Sequence, residues 1–378
     1  MSDFDPQEAA SWAPRHNAAL FGHDAAEAAL LEAWASGRLP HAWMITGPRG
    51  VGKSTMAFRF ARFLLKHGPA SSLDAGPSLF GDAPVLPDTL AVAEDDAVFS
   101  RVANAGHADL ITVERSWDDK GDRWRGDIVV QDVRAVIDRF GKTAAEGGYR
   151  VCIVDAADDM NINAANALLK ILEEPPPNAV LLLVSHAPGG LLPTIRSRCR
   201  RLALKPLDEA AMQQALTGLL PDLDAAERRG LGVLAEGSPG RAVTLAAQGG
   251  LKLLHGLLDM VGQLPRPDMA KLHAFGDALA RDRSGAGFQL MTDLFRWWLA
   301  RLVRASAAGR IGGSGWAEIF PGETALAQRL AQWQGPARWA EDWEQLGRLL
   351  DRGESVNLDR KQMLLNLFAA LARSAAAR

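Results

Sequence analysis

A nine-residue segment follows the pattern G-x-x-x-x-G-K-[ST] at every fixed position, and it constrains the fold more than any other feature. It runs Gly47-Pro48-Arg49-Gly50-Val51-Gly52-Lys53-Ser54-Thr55. An apolar run over 42–45 precedes it and a helical pattern over 56–65 follows it, which predicts a strand, a loop and a helix. In that context the pattern indicates a phosphate-binding loop, because glycines let the backbone wrap around phosphate oxygens with its N–H groups directed inward.

Two side chains of the loop have predicted roles. Lys53 is expected to reach the outer phosphates of a nucleotide, and Ser54 to hold Mg²⁺. The helix that follows adds the partial positive charge of its N-terminus. We therefore expect ATP or ADP to bind with Mg²⁺. The alternative is a glycine-rich turn that binds no nucleotide, because an intact loop sequence can persist in a protein that has lost hydrolysis.

The strand that should complete a hydrolytic site ends in a single acid. Residues 149–155 are predicted to form a buried strand, and Asp155 stands where hydrolytic enzymes of this kind place the carboxylate of the Mg²⁺ shell. The next residue, where the acid that activates water belongs, is Ala156. Losing a general base costs about a hundredfold or more in rate, so we predict little hydrolysis. The candidate nucleotide-binding residues are Gly47, Pro48, Arg49, Gly50, Val51, Gly52, Lys53, Ser54, Thr55 and Asp155, with Ser54 and Asp155 as the candidate Mg²⁺ ligands.

Three further polar residues near these strands have modest predicted roles. Asp158 lies too far along the turn to replace the missing acid by simple register. Asp158 and Asp159 are predicted to cap the helix entry before Met160–Ala165, because acceptors there satisfy unpaired N–H groups. His186, which follows the apolar run 180–185, is expected to make local hydrogen bonds rather than to take part in catalysis.

The order of elements predicts an α/β part followed by an all-α part. Helices alternate with continuous apolar strands up to about Lys205, which is typical of a parallel sheet covered on both faces. Leu110–Glu114 is a predicted strand, Val180–Ser185 is the last one, and 68–108 forms a loose excursion with one short helix at 98–103. Residues 118–122 have the chemistry of a hairpin turn. From Leu207 the pattern is helical to the end, and its tryptophans are expected in core packing or subunit contacts.

Composition narrows the class of protein. The chain has 378 residues, of which 48% are hydrophobic and 23% charged, with a net charge of −3. No apolar run reaches the length of a membrane span and the start lacks the basic residues of a secretory signal, so we expect a cytoplasmic protein without membrane contact. The cysteines, Cys152 and Cys199, form neither a disulfide framework nor a zinc cluster. The net charge disfavours a strongly basic nucleic-acid reader.

A basic cluster follows the last predicted strand, with arginines at 196, 198, 200 and 201. Arg198 could project from the domain edge into the nucleotide site of an adjacent subunit and neutralise charge on the transferring phosphoryl group. Such an arginine finger contributes about a thousandfold or more in rate. A solvated basic edge, or one that faces DNA phosphates, explains the spacing equally well.

Two segments together resemble one family. Asn166-Ala167-Leu168-Leu169-Lys170-Ile171-Leu172-Glu173-Glu174-Pro175-Pro176, followed by Ser197-Arg198-Cys199, is similar to the bacterial sliding-clamp loaders of DNA polymerase III, which are AAA+ proteins. The likeness extends to the Gly-Ser-Pro-Gly segment at 237–240 and to Asn357-Leu358-Asp359-Arg360-Lys361 near the end. It implies that Arg198 acts as the finger in trans.

The resemblance also implies which kind of clamp-loader subunit this is. The ATPase subunits, gamma/tau, have a glutamate after the strand-ending acid and a lid arginine two residues after the Gly-Ser. Here those positions hold Ala156 and Gly240, and Arg241 points about 100° away around the helix. The pattern implies a subunit that completes its neighbour's ATP site. A catalytically active gamma/tau-like ATPase is the alternative.

One departure from the family concerns zinc. Its members commonly place four cysteines after the first helix of the loop, whereas residues 68–109 contain none. His67 and His107 alone cannot build a tetrahedral structural site, so we predict no zinc.

The resulting expectation is a three-part AAA+ protein: a nucleotide-binding core over 1–205, a helical lid over 206–249 and a helical collar over 250–378. The resemblance implies gamma/tau and delta subunits as partners, and contact with the sliding clamp and primed DNA through the complex. ATP in neighbouring subunits would hold the clamp open, and primed DNA would trigger hydrolysis. A self-sufficient ATPase and a DNA-binding module built on residues 196–201 are the rival functions.

Overall fold

The computed structural model describes residues 13–70, 86–118, 123–140, 144–282, 284–355 and 359–376. Contacts between Cα atoms divide the chain into two compact units. Of the described residues, the first unit holds 13–215 together with Gly237–Gly240, and the second holds Leu216–Glu236 and those from Arg241 onward. The division into three parts at 205 and 249 stays a prediction.

A parallel sheet forms the centre of the first unit. In chain order the strands are β1 (Ala42–Thr46), β2 (Leu110–Val113), β3 (Trp117–Asp118), β4 (Arg123–Trp124), β5 (Arg150–Val154), β6 (Ala179–Ser185) and β7 (Arg200–Ala203). Five of them pair in the order β2-β5-β6-β1-β7, with every neighbouring pair parallel. All residues of β1, β5 and β6 are buried, as expected of strands covered on both faces.

The helices account for most of the rest of the described chain. In order they are α1 (Asp24–Ala35), α2 (Lys53–His67), α3 (Ala97–Ala103), α4 (Val130–Phe140), α5 (Ile162–Glu173), α6 (Pro193–Arg196), α7 (Glu209–Leu219), α8 (Ala225–Ala235), α9 (Pro239–Ala247), α10 (Gly250–Val261), α11 (Met269–Arg281), α12 (Ala286–Ala307), α13 (Glu323–Trp333), α14 (Pro336–Ser355) and α15 (Arg360–Ala376). Helices α4 and α5 cover one face of the sheet, and α2 packs on β1, β5 and β6. The predicted α/β core followed by helices is confirmed.

Strand β7 corrects the prediction that Val180–Ser185 is the last strand. Its register places Arg200 beside Trp43 and Leu202 beside Ile45. Of its four residues only Leu202 is buried. A strand at the edge of a sheet tolerates charged side chains, because one of its sides faces solvent, and those charges hide the strand from a search for apolar runs.

The hairpin prediction is confirmed in part. β3 and β4 pair antiparallel with each other; of the turn predicted at 118–122, Asp118 belongs to β3, and 119–122 lie outside the described residues. Ile128 then forms an isolated parallel bridge with Met160, and α4 begins two residues later.

The short helix predicted near 98–103 is confirmed as α3, and side chains from α2 hold it. Asp96 caps α3 by accepting from the Val98 N–H at 2.8 Å, and its carboxylate lies 2.6 Å from Lys66 Nζ. The buried Arg62 guanidinium lies 4.5 Å from the Phe99 ring centroid. These contacts secure this part of the excursion, and residues 71–85 lie outside the described part of the chain. The expectation that no zinc binds stays a prediction.

A buried ion pair anchors one corner of the second unit. Glu323 is fully buried and accepts from Trp298 Nε1 at 2.8 Å, Arg301 Nη1 at 2.6 Å and the Ile319 N–H at 2.7 Å. The Arg301 guanidinium also lies 3.8 Å from the Trp316 ring centroid. Burial raises the pKa of the Glu323 carboxyl. The aromatic residues here therefore serve packing, in agreement with the interpretation from sequence.

None of the helices in the described ranges combines the length and the apolar character that crossing a membrane requires. Asn357 and Leu358, which belong to the segment resembling the family's collar, lie outside the described residues.

Candidate nucleotide-binding site

The phosphate loop joins β1 to α2, and its glycines adopt conformations that other residues rarely reach. The φ angles are 150° at Gly47, 75° at Gly50 and 111° at Gly52. A Cβ at Gly47 would lie 2.4 Å from the Leu204 carbonyl oxygen, and one at Gly52 would lie 3.2 Å from Leu20 Cδ1. The glycine spacing of the motif is therefore what this backbone requires.

Lys53 is buried at the start of α2 and spans the loop. Its Nζ donates to the carbonyl oxygens of Gly47 at 2.7 Å and Pro48 at 2.6 Å. Burial lowers the pKa of Lys53 to about 8, against the opposing attraction of Asp155 and Asp158. An ammonium has three N–H groups, so the two that brace the loop leave one to donate to a phosphate oxygen.

The structure brings together Ser54 and Asp155, the two candidate Mg²⁺ ligands. The Ser54 hydroxyl hydrogen-bonds to the Asp155 carboxylate, and burial raises the pKa of that carboxyl. Among the described residues, no group of three or more His, Cys, Asp or Glu side chains could hold a metal ion alone. One hydroxyl and one carboxylate fit a Mg²⁺ ion that takes its other ligands from water and phosphate oxygens.

The remaining candidate residues of the loop divide by exposure. Val51 and Thr55 are buried against the core, whereas Pro48, Arg49 and Gly50 are exposed. The backbone at the tip is thus open to a ligand while its flanks are fixed. His23 braces it from outside, because its Nε2 lies 2.8 Å from the Val51 carbonyl oxygen.

The position after Asp155 carries no chemistry. Ala156 is buried, with 5% of its surface exposed. The next acid, Asp158, accepts from Ser185 Oγ at 2.8 Å, from the Ala187 N–H at 3.1 Å and from the His186 N–H. A carboxylate that accepts three hydrogen bonds is held to one orientation, which leaves it unsuited to taking a proton from water.

The predicted capping role of Asp158 and Asp159 is wrong. Asn161 is the residue that caps α5, accepting from the Ala164 N–H at 2.9 Å. Asp158 instead fixes the end of β6, and Asp159 lies 3.3 Å from Arg115 Nε. The extra turn at 157–159 is a 3₁₀ turn that separates these acids from the helix. The Asn at 161 is itself a capping signal in the sequence.

His186 lies on the same side of the site as Lys53 and Arg49. Burial, followed by those two positive charges, lowers the pKa of His186 to about 4. The ring is therefore neutral at physiological pH. Its backbone N–H donates to Asp158, 28 residues earlier in the chain, and its ring Nδ1 is buried without a hydrogen-bond partner among the described residues, so the expectation of local hydrogen bonds is not confirmed.

The Gly-Ser-Pro-Gly segment at 237–240, called the lid segment after the resemblance, contacts the phosphate loop through backbone atoms. The Gly240 N–H donates to the Gly50 carbonyl oxygen at 2.8 Å. A Cβ at Gly240 would lie 3.0 Å from Gly50 Cα and 3.1 Å from that oxygen. The position where the resemblance expects an arginine in an ATPase subunit thus leaves little room for a side chain. Arg241 lies 3.1 Å from Glu236 Oε2.

Arg198 lies between α6 and β7 with its guanidinium at the surface. Nη1 donates to the Thr194 carbonyl oxygen at 3.0 Å, and Nη2 forms an ion pair with Glu173, 3.0 Å from its Oε1. The side chains of Arg198 and Glu173 are 36% and 51% exposed. Sequence reasoning did not single out Glu173 as a partner of Arg198, since 25 residues separate them.

The other arginines of the cluster have different surroundings. The Arg200 guanidinium lies 4.9 Å from the Trp43 ring centroid, and Arg201 Nε donates to Thr46 Oγ1 at 3.2 Å. Arg196 is exposed at the end of α6. Two of the four arginines are thus engaged with β1, and the cluster is not one uniform basic edge.

A five-stranded parallel sheet, a glycine-rich loop between β1 and α2, and an acid at the end of a nearby strand are the features of a P-loop α/β core of the AAA+ class. A family model described as DNA polymerase III, delta subunit, matches residues 89–208. The chain is 30% identical over 328 residues to the DNA polymerase III subunit delta' of Pseudomonas aeruginosa, covering 86% of this chain and 89% of that protein. The chain belongs to the DNA polymerase III delta' family of clamp-loader subunits.

Two further relatives show how far the similarity extends. The subunit delta' of Bacillus subtilis is 29% identical over 180 residues, which cover 47% of this chain and 46% of that protein. The subunit tau of Escherichia coli is 30% identical over 244 residues, which cover 64% of this chain and 34% of that protein. The tau match thus spans about a third of its relative, whereas the match to the Pseudomonas protein runs through most of both chains.

Proposed function

We propose that this chain serves as the delta' subunit of a DNA polymerase III clamp loader and supplies Arg198 in trans to the ATP site of a neighbouring subunit. In this role it works beside gamma/tau and delta subunits, and the complex loads the sliding clamp onto primed DNA. Its own site binds ATP or ADP with Mg²⁺ and turns it over poorly.

The observation that carries the proposal is the placement of Arg198. Its guanidinium is partly exposed and is held at 3.0 Å by contacts to two different elements, α5 and α6. A group that stabilises charge in a neighbour's transition state has to be surface-accessible and fixed in direction. Among the four clustered arginines, Arg198 combines these two properties.

Poor turnover follows from the residues around Asp155. Bound Mg²⁺–nucleotide would take its phosphate contacts from the loop and Lys53, and its metal contacts from Ser54 and Asp155. Ala156 offers no base, and the Asp158 carboxylate is committed to Ser185, His186 and Ala187. The site therefore has groups that bind and orient phosphates but lacks one that activates water.

The test is ATP hydrolysis by a loader reconstituted with Arg198→Ala. We expect DNA-stimulated hydrolysis at the adjacent site to fall by about a thousandfold, while the complex still assembles on a sizing column. Arg196→Ala removes an exposed arginine from the same cluster and is the matched control, expected to behave as wild type. Unchanged hydrolysis with Arg198→Ala would remove the finger assignment.

An active gamma/tau-like ATPase is the second candidate, favoured by the intact loop and by the tau match. Hydrolysis by the purified chain alone distinguishes the two. Brisk turnover that disappears with Lys53→Ala would support the ATPase, whereas a rate that is negligible in both proteins supports the trans-acting subunit.

A further inference from the structure

Two contacts orient the Arg198 guanidinium, and they differ in kind. The Thr194 carbonyl oxygen belongs to α6, only four residues before Arg198, so this contact is local. The Glu173 carboxylate belongs to α5 and crosses 25 residues of chain. Only the second contact ties the direction of the side chain to a different element of the core.

Glu173 is well placed to fix the direction of the Arg198 side chain, because its own backbone is firmly held. It is the last residue of α5, and its neighbours Ile171 and Leu172 are buried in the core under the sheet. Three prolines follow at 175–177, which end the helix and stiffen the chain after it. The backbone that carries the carboxylate is therefore fixed, although the carboxylate itself is half exposed.

We propose that Glu173 is a positioning residue for Arg198, holding the finger in the direction from which it reaches the neighbouring subunit's ATP. This inference rests on the proposed function of Arg198. An arginine side chain has many rotamers, and fixing one of them costs entropy; a misplacement of about 1 Å at a reacting centre costs about a hundredfold in rate. Fixing the guanidinium before assembly removes both costs from the catalytic step.

The geometry leaves the guanidinium able to act while it is held. Of its five N–H groups, one donates to the Thr194 carbonyl oxygen, and Glu173 holds the guanidinium as an ion pair at 3.0 Å, so N–H groups remain for phosphoryl oxygens. Stability does not account for the pair, because an ion pair this exposed contributes little to folding.

The test measures single-turnover ATP hydrolysis by the reconstituted loader with Glu173→Ala. We expect the rate constant at the adjacent site to fall by about fivefold, the value of an exposed ion pair, up to about a hundredfold for a misplaced group. The KM for ATP should stay unchanged, because the finger acts in the transition state.

Glu174→Ala removes the neighbouring exposed charge and should behave as wild type. Glu173→Gln, which keeps an acceptor of similar size, should be intermediate and serves if the alanine variant does not assemble.

A double-mutant cycle with Arg198→Ala decides whether Glu173 acts through Arg198. The proposal expects no further loss from Glu173→Ala once Arg198 is absent. An equal loss of rate from Glu173→Ala with and without Arg198 would overturn the proposal. A wild-type or faster rate with Glu173→Ala alone would also overturn it. In both cases, slow hydrolysis by the Arg198→Ala loader leaves the proposed function of Arg198 standing. If Arg198→Ala itself has no effect, the finger and its positioning residue are both refuted.

Discussion

The backbone N–H of Gly240 donates to the carbonyl oxygen of Gly50, so the lid segment is hydrogen-bonded to the tip of the phosphate loop. Gly237–Gly240 belongs to the same compact unit as that loop. The contact uses no side chain, and it replaces the nucleotide-sensing arginine that the resemblance to ATPase subunits would place here.

Gly240→Arg should therefore fail to restore an ATPase. The new Cβ would lie 3.0 Å from Gly50 Cα, so the loop or the lid has to shift. We expect the free energy of unfolding of the first unit to fall by about 1–3 kcal/mol, with no gain in ATP hydrolysis. Denaturant titration and a steady-state ATPase assay measure the two effects.

Gly189→Arg is the matched control, because nothing lies within 4 Å of a Cβ built there. We expect its unfolding free energy to stay within about 0.5 kcal/mol of wild type, as is usual for surface substitutions. A Gly240→Arg protein that hydrolyses ATP faster than wild type would show that the close contact is not what excludes an arginine.

Nucleotide binding should depend on pH through Lys53. Because burial lowers the pKa of Lys53 to about 8, the site without nucleotide loses its ammonium charge above that pH. Phosphate favours the charged form, so ADP–Mg²⁺ affinity should fall by up to about tenfold per pH unit above 8, and binding at pH 8 should take up about half a proton. Isothermal titration in buffers of different ionisation enthalpy measures the uptake.

The effect of Lys53 on the free energy of unfolding has the opposite dependence on pH. Burying the Lys53 ammonium costs free energy, and this cost is fully present below pH 8 and absent above the ordinary value of 10.5. Lys53→Arg keeps the charge throughout this range and should abolish the dependence of affinity on pH. Proton uptake that persists in Lys53→Arg would assign the titration to another group.

Because Asp96 caps α3, we expect it to contribute measurably to the free energy of unfolding. Asp96→Ala removes an N-cap, which costs about 1 kcal/mol, and the partly exposed pair with Lys66, which adds up to about 1 kcal/mol. The hydrogen bond from Lys66 lowers the pKa of Asp96. The contribution of Asp96 to stability should thus be complete above its ordinary pKa of 3.8. It should disappear as the pH falls through the lowered pKa of the folded protein.

Thermal unfolding of Asp96→Ala, with Asp95→Ala as its exposed neighbour, checks this prediction. Only the first variant should lower the melting temperature near neutral pH. Equal melting temperatures for the two variants would mean that α3 does not depend on its cap.

Glu323→Ala should strongly destabilise the second unit. It leaves Arg301 as a buried charge and removes the acceptor from the Trp298 and Ile319 N–H groups, a loss of about 3–5 kcal/mol. Chemical denaturation measures the loss, and Glu344→Ala, which removes an exposed glutamate of α14, should change stability by less than about 0.5 kcal/mol. Similar midpoints for the two variants would contradict the anchoring role of Glu323.

Local patterns predicted the elements around the site well. The loop, the strands that flank it and α3 lie where glycine spacing, apolar runs and helical periodicity indicated, because each of these signals is contained in a few consecutive residues. Membership of the clamp-loader family likewise followed from contiguous segments such as 166–176. Ala156 needed no structure to be noticed, since the missing acid belongs to a fixed position in the sequence.

Contacts between distant residues were not predictable in this way. Asp158 was assigned to the helix that follows it, whereas its partners are Ser185, the last residue of β6, and the next two residues, His186 and Ala187. β7 was not predicted, because three of its four residues are charged or exposed. Such residues are tolerated in β7 only because of its place at the edge in the strand order. The partner of Arg198 is equally a product of topology, since α5 and the turn before β7 meet only in the folded chain.

That place in the strand order has a consequence for solubility. β7 pairs with β1 on one side, and among the described residues no strand pairs with its other side. An open row of backbone donors and acceptors invites a second chain to add a strand, which is a route to aggregation. Arg200 and Arg201 set like charges along this border, so two copies that approached each other edge to edge would repel.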